Sequence, residues 1–74
     1  MDSEKLYKKY FNKICIIYLD NGTEKLAWFD KLSKAQDFQE SGAVIISMVN
    51  LKHVRDKNQV RHFLDSFLFK GYEL

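Results

Sequence analysis

Asn21-Gly22 stands between two runs of strand-forming residues, Ile14–Leu19 and Glu24–Phe29, and no other feature constrains the fold of this chain as much. Asparagine and glycine adopt left-handed backbone angles more readily than other residues, and the tight turns of β-hairpins require those angles. The two runs therefore fold back on each other as antiparallel neighbours. Local signals leave the register open. A two-residue turn pairs Asp20 with Thr23, setting Ile17 opposite Leu26 and Cys15 opposite Trp28. A three-residue turn, with Gly22 left-handed beside a bulge, pairs Leu19 with Thr23 and sets Ile16 opposite Leu26 and Ile14 opposite Trp28. The second register gathers Ile14, Ile16, Tyr18, Leu26 and Trp28 on one face and is the expected one. A slip of one residue would send every side chain to the other face.

The rest of the chain supplies helices and one more strand. Ser33 with Gln36 forms a capping box, and Leu32, Ala35 and Phe38 make an amphipathic stripe that ends near Ser41. Gly42 and Gly71 follow helical stretches and suit left-handed positions just past a helix end. Ala43–Val49 is β-branched and apolar on both faces, which marks a third strand. Asp56 with Gln59 is a second capping box. Beyond it, Val60, Phe63, Leu64, Phe67 and Leu68 follow the spacing of an amphipathic helix. Leu6, Tyr7, Tyr10, Phe11 and Ile14 suggest a short helix leading into the first strand.

The order is thus α-β-β-α-β-α. A right-handed crossover through the middle helix sets strands two and three parallel to each other, so strand three can pair beside strand one. Residues 1–74 are expected to form a single α+β domain with a three-stranded antiparallel sheet in the order 2-1-3, packed by helices. Strand one is then central, which accounts for its apolar character on both sides.

At 74 residues, such a domain buries only roughly 60% of the surface its unfolded chain exposes. Six Phe, four Tyr and one Trp supply the apolar area to offset the ordering entropy. A single cysteine, Cys15, excludes an intrachain disulfide and any CxxC motif, and suits a reducing cytoplasm. The longest apolar run, Ile14–Leu19, is far too short to span a bilayer. No secretory or lipidation signal is evident at the N-terminus, so the expectation is a cytoplasmic protein without a membrane partner. Lysine outnumbers arginine ten to two, and Ile, Asn, Phe and Tyr are plentiful. An AT-rich coding sequence, as in many phages and low-GC bacteria, produces that usage.

No residues assemble into a recognisable catalytic or cofactor site. Cys15 lies inside an apolar strand, where a thiol is buried and inert. His53 and His62 are in no metal-ligand spacing and lack cysteine partners. His62 and Asp65 are spaced to pair on a helix, but no nucleophile accompanies them. Asp30, Asp37 and Glu40 read as solvated carboxylates, and the three glycines are isolated rather than gathered in a phosphate loop. The expectation is a protein without enzymatic activity, metal or cofactor.

The surface is more suggestive. Lys52, Arg55, Lys57 and Arg61 concentrate positive charge in residues 52–61, although Asp56 interrupts them and Arg61 is spaced to pair with Asp65. Aromatic residues exceed what a core of this size hides, and Tyr7, Phe69 and Tyr72 are candidates for a partner interface. Tyr72 and Leu74 could equally fold back over the end of the last helix. These features point to a protein-binding regulator or inhibitor, phage- or mobile-element-encoded, acting on a host protein such as a defence or nucleic-acid-processing enzyme. The alternative is a small nucleic-acid-binding accessory protein that uses the basic 52–61 segment. A homo-dimer through a strand edge or the aromatic surface is a third.

Overall fold

A computed structural model describes residues 3–72 and 74. In chain order they form helix α1 (Ser3–Tyr10), strands β1 (Ile14–Asp20) and β2 (Thr23–Phe29), and helix α2 (Leu32–Glu40). Strand β3 (Val44–Asn50), a single 3-10 turn (Leu51–His53) and helix α3 (Lys57–Phe69) follow. The sheet is antiparallel throughout and ordered β2-β1-β3, as the sequence implies.

The hairpin takes the register that the sequence disfavours. Asp20 pairs with Thr23, Ile17 with Leu26 and Cys15 with Trp28, so the turn has two residues and no bulge. Asn21 and Gly22 both have positive φ, 52° and 81°. That backbone twist matches the twist of the flanking strands, whereas a three-residue loop would insert a bulge to achieve the same closure. The expected register gathers Ile14, Ile16, Tyr18, Leu26 and Trp28 on one face, whereas here Leu26 and Trp28 join Cys15 and Ile17 on the other.

On one face Cys15 joins Leu6, Tyr10, Leu51, Val60, Leu64 and Phe67 in a core, with Ile17, Leu26, Trp28 and Val49 packed against it. Helices α1 and α3 cover this side. On the other face Ile14, Ile16 and Ala35 form a second core, flanked by Tyr18, Phe29, Phe38 and Ile45 under α2. Ile14, Cys15 and Ile16 are therefore all fully buried, one after another, because both faces of β1 are covered. Aromatic contacts knit the first core together. Tyr10 stacks on Trp28 with ring centroids 4.1 Å apart, and Trp28 meets Phe67 edge-on at 6.3 Å.

The helix ends only partly follow the capping signals. Helix α2 begins a residue before the expected box, at Leu32, with Lys31 as N-cap and no side-chain cap bond. Ser33 thus lies inside the first turn, where it cannot cap. The Lys31 carbonyl accepts the N–H groups of Lys34 and Ala35 directly, and the burial of Ala35 on the sheet sets the helix phase. Leu32, expected on the buried stripe, is 44% exposed. At α3 the Asp56 carboxylate accepts the Asn58 N–H at 2.9 Å, while Gln59 is exposed and does not complete a box.

Helix α3 closes as expected at Gly71, whose φ is 90°. The Tyr72 N–H returns to the Phe67 carbonyl and the Gly71 N–H to that of Leu68, the paired bonds of a Schellman motif.

Candidate functional site

The structure splits the basic 52–61 segment into two pairs with different surroundings. Lys57 and Arg61 face α1, where Glu4 binds both of them, Lys57 at 2.7 Å. The ammonium of Lys57 also lies 5.0 Å from the centre of the Tyr7 ring, which in turn stacks on Phe11 at 5.3 Å. Arg61 therefore pairs with Glu4 on another helix rather than with Asp65, the partner its spacing suggested. These two cations join α1 to α3, and much of their charge is spent there.

Lys52 and Arg55 lie on the connection between β3 and α3 and are exposed. The Lys52 N–H donates to the Asn50 side chain at 3.0 Å, which caps the 3-10 turn. Its ammonium contributes, with those of Lys13 and Lys31, to the field around Asp30. A hydrogen bond from Lys13 and that lysine's charge hold the Asp30 carboxyl below its ordinary range, with Lys52 and Lys31 adding to the effect. Arg55 has no ion-pair partner among the described residues.

The three aromatic candidates also separate. Tyr7 is half-buried between Lys57 and Phe11. Tyr72 folds back over the end of α3, meeting Phe67 edge-on at 5.7 Å, and its hydroxyl donates to the Glu24 carboxylate at 2.9 Å. Desolvation first, and then the bond to Glu24, raise the pKa of that phenol above its ordinary value. Phe69 does neither. It is 93% exposed at the last turn of α3, with Leu68 and Phe63 each 38% exposed on the same helix.

A second exposed apolar region lies on β3, at one of the strand edges that the sequence offers for a homo-dimer. Val44, Ile46 and Met48 on β3 are 59%, 46% and 39% exposed. Ile17 pairs with Ser47 and Tyr18 with Ile45, so Ile46 is the extra residue of a β-bulge. The signal that could have found this strip is the absence of charge from Ser41 to Leu51 in a sequence where 30% of residues are charged.

Groups that could carry chemistry are dispersed. Cys15 is fully buried, and desolvation pushes its thiol up to about 12, far from a reactive thiolate. His53 and His62 are exposed on separate elements. Among the described residues no group of three or more His, Cys, Asp or Glu could hold a metal ion, and no helix is long and apolar enough to cross a membrane. An open cleft of about 420 Å³ runs between the hairpin and the C-terminus, lined by Tyr18, Glu24, Leu26 and Tyr72 among others.

These features define a small α+β domain with exposed apolar residues on α3 and on β3. Set against protein-family models, curated proteins and solved structures, the chain matches none.

Proposed function

We propose that this protein is a non-enzymatic binding module that regulates or inhibits a larger protein through surface contact. The observation that carries the reading is Phe69. A phenylalanine left 93% exposed on a well-capped helix costs solubility and contributes nothing to this fold. Such a side chain is the kind of rigid aromatic anchor that dominates protein interfaces. Leu68 and Phe63 are partly exposed on the flanks of the same helix, and Gln59 and His62 lie beside Phe63 around a shallow concavity of about 440 Å³. The lysine- and asparagine-rich composition fits a phage or mobile-element gene, and we propose a host defence or nucleic-acid-processing enzyme as the class of partner.

Affinity capture from a host lysate tests this with two proteins, the wild type and Phe69→Ser. The expected result is a stoichiometric host enzyme recovered by the first and lost with the second, both proteins being equally folded. Equal recovery by both would remove Phe69 from the interface, and recovery of nothing by either would end the proposal. The nucleic-acid alternative has less to draw on, because Lys57 and Arg61 are engaged with Glu4. It would be revived by binding to a DNA or RNA fragment that weakens steeply with salt and is lost in Lys52→Glu with Arg55→Glu.

A further inference from the structure

We infer that the end of the sheet where β1 begins and β2 and β3 finish is a binding surface for the phosphate backbone of a nucleic acid, formed by Lys31, Lys34, Lys52 and Arg55 around the Lys13–Asp30 ion pair. No single segment of the chain contains this surface, and the sheet topology assembles it. Ile14 pairs with Phe29 on one side and with Asn50 on the other, so the start of β1 is level with the last residues of both neighbours. Lys13 stands just before that row, Asp30 and Lys31 just after it on the β2 side, and Leu51 and Lys52 just after it on the β3 side. The Lys13 carbonyl accepts the Leu51 N–H at 3.0 Å, and its ammonium pairs with Asp30.

The cations come from elements on both faces of the sheet. Lys31 and Lys34 belong to the start of α2, which covers Ile14 and Ile16, whereas Lys52 and Arg55 lead into α3, which covers Cys15. At the end of the sheet the two faces meet, and the charges meet with them: Lys31 and Lys52 both act on the Asp30 carboxylate that Lys13 binds. Helices α2 and α3 also start here, and neither has an acidic residue in its first turn, so their ends add to the positive potential. The acids at this end are committed, Asp30 to Lys13 and Asp56 to the Asn58 N–H. Lys31, Lys34, Lys52 and Arg55 are exposed and have no ion-pair partner among the described residues.

The hairpin end has the opposite character, with Asp20 and Glu24 in the hairpin and Glu40 where α2 returns to the start of β3. A formal net charge of only +2 therefore conceals a separation of charge along the strands, which orients the domain toward a polyanion before contact. The kind of cation selects the occupant. Three of the four unpaired groups are lysines. Lysine meets phosphate oxygens as a point charge without fixed geometry, whereas protein interfaces are depleted in lysine and favour the arginine fork. Such a surface grips a backbone without reading bases. Phe69 lies at the far end of α3, so this inference does not rest on the protein-binding reading.

Fluorescence anisotropy with the full chain and a short labelled DNA of mixed sequence, as duplex and as single strand, tests the inference. Binding should weaken with salt at a log–log slope of about −3, corresponding to about four neutralised phosphates. Lys31→Glu with Lys52→Glu should lower the affinity about tenfold or more and flatten that slope. Lys5→Glu with Lys70→Glu makes the same change of charge at the opposite end and should leave the affinity within about twofold. Circular dichroism checks that every variant is folded, and Phe69→Ser should bind DNA as the wild type does. Tighter binding of the duplex or of the strand supports the surface and names the form it takes. A wild type that binds neither at low salt would overturn the inference, as would equal weakening in the two double variants. So would polyglutamate that displaces the DNA at an equal concentration of charge, since the surface would then fit an acidic protein.

Discussion

The sheet has two edges, and they are finished differently. β2 exposes Thr23, Glu24 and Lys25 at its hairpin end, where Lys25 reaches Asp20 at 2.8 Å and Glu24 accepts the Tyr72 hydroxyl. Its other half is held by Trp28, between Tyr10 and Phe67. β3 has no charge and no aromatic ring, and it leaves Val44, Ile46 and Met48 in solvent. Ile45 and Val49 of β3 pack against the two cores, so both edges are held by packing as well as by the ladder with β1. β2 is pinned in addition by polar and aromatic side chains from distant parts of the sequence, whereas among the described residues no ion pair or ring contact reaches β3.

Removing the anchor of the first edge should have the largest effect. Trp28→Ala is expected to destabilise the protein by about 3 kcal/mol in urea unfolding, the low end for such a truncation because the ring is only half-buried. A cost below that of a surface change would show that β2 is no better fixed than β3.

The next effect belongs to the tether from the C-terminus. Tyr72→Phe removes a half-exposed hydrogen bond to a carboxylate and should cost about 1 kcal/mol. The phenol pKa is raised in the folded protein, so the stabilising contribution is complete below the ordinary tyrosine value and is lost as pH rises through the higher folded one. Alkaline unfolding curves should therefore be flatter for Tyr72→Phe than for the wild type.

Asp30, at the opposite end of β2, should give a smaller effect with the reverse sign. Its pKa is lowered, so its contribution is present above the ordinary carboxylate value and disappears as pH falls through the folded one. Asp30→Asn should reduce the acid dependence of stability in that window alone, as measured by thermal unfolding across pH. Least of all should come from the other edge. Ile46→Lys is expected to change monomer stability by no more than about 0.5 kcal/mol, so a large loss there would erase the contrast between the two strands.

The sequence made the order of elements and the sheet topology readable, because Asn21-Gly22 marks the hairpin and Val60 through Leu68 keep helical spacing. What stayed hidden depends on contacts between distant residues. Spacing along one helix offers Arg61 only Asp65, whereas Glu4, 57 positions earlier, is the group that folding brings to it. The hairpin register was misread for a related reason. Alternation assigns residues to two faces, but only the tertiary arrangement reveals that both faces have helices on them. The candidate site was legible at Phe69, where an apolar residue ends a helix, and at Lys52 and Arg55. At β3 the open edge and the uncharged run from Ser41 to Leu51 were legible, but the exposure of Val44, Ile46 and Met48 was not, since an apolar strand looks the same in sequence whether its flank is covered or bare.

The central position of β1 has a consequence for how the protein opens. Its backbone is paired on both sides, and Ile14, Cys15 and Ile16 are sealed by helices above and below. Adjacent amides of a central strand point to opposite neighbours, so peeling away β3 frees only the amides directed at it and leaves those bonded to β2 in place. Of Cys15 and Ile16, the one bonded to β2 should therefore exchange more slowly, through opening of the whole molecule. The outward-facing amides of β3 should exchange in the native state, and the gap between the two strands measures how far the fold can loosen at one margin while its centre stays shut.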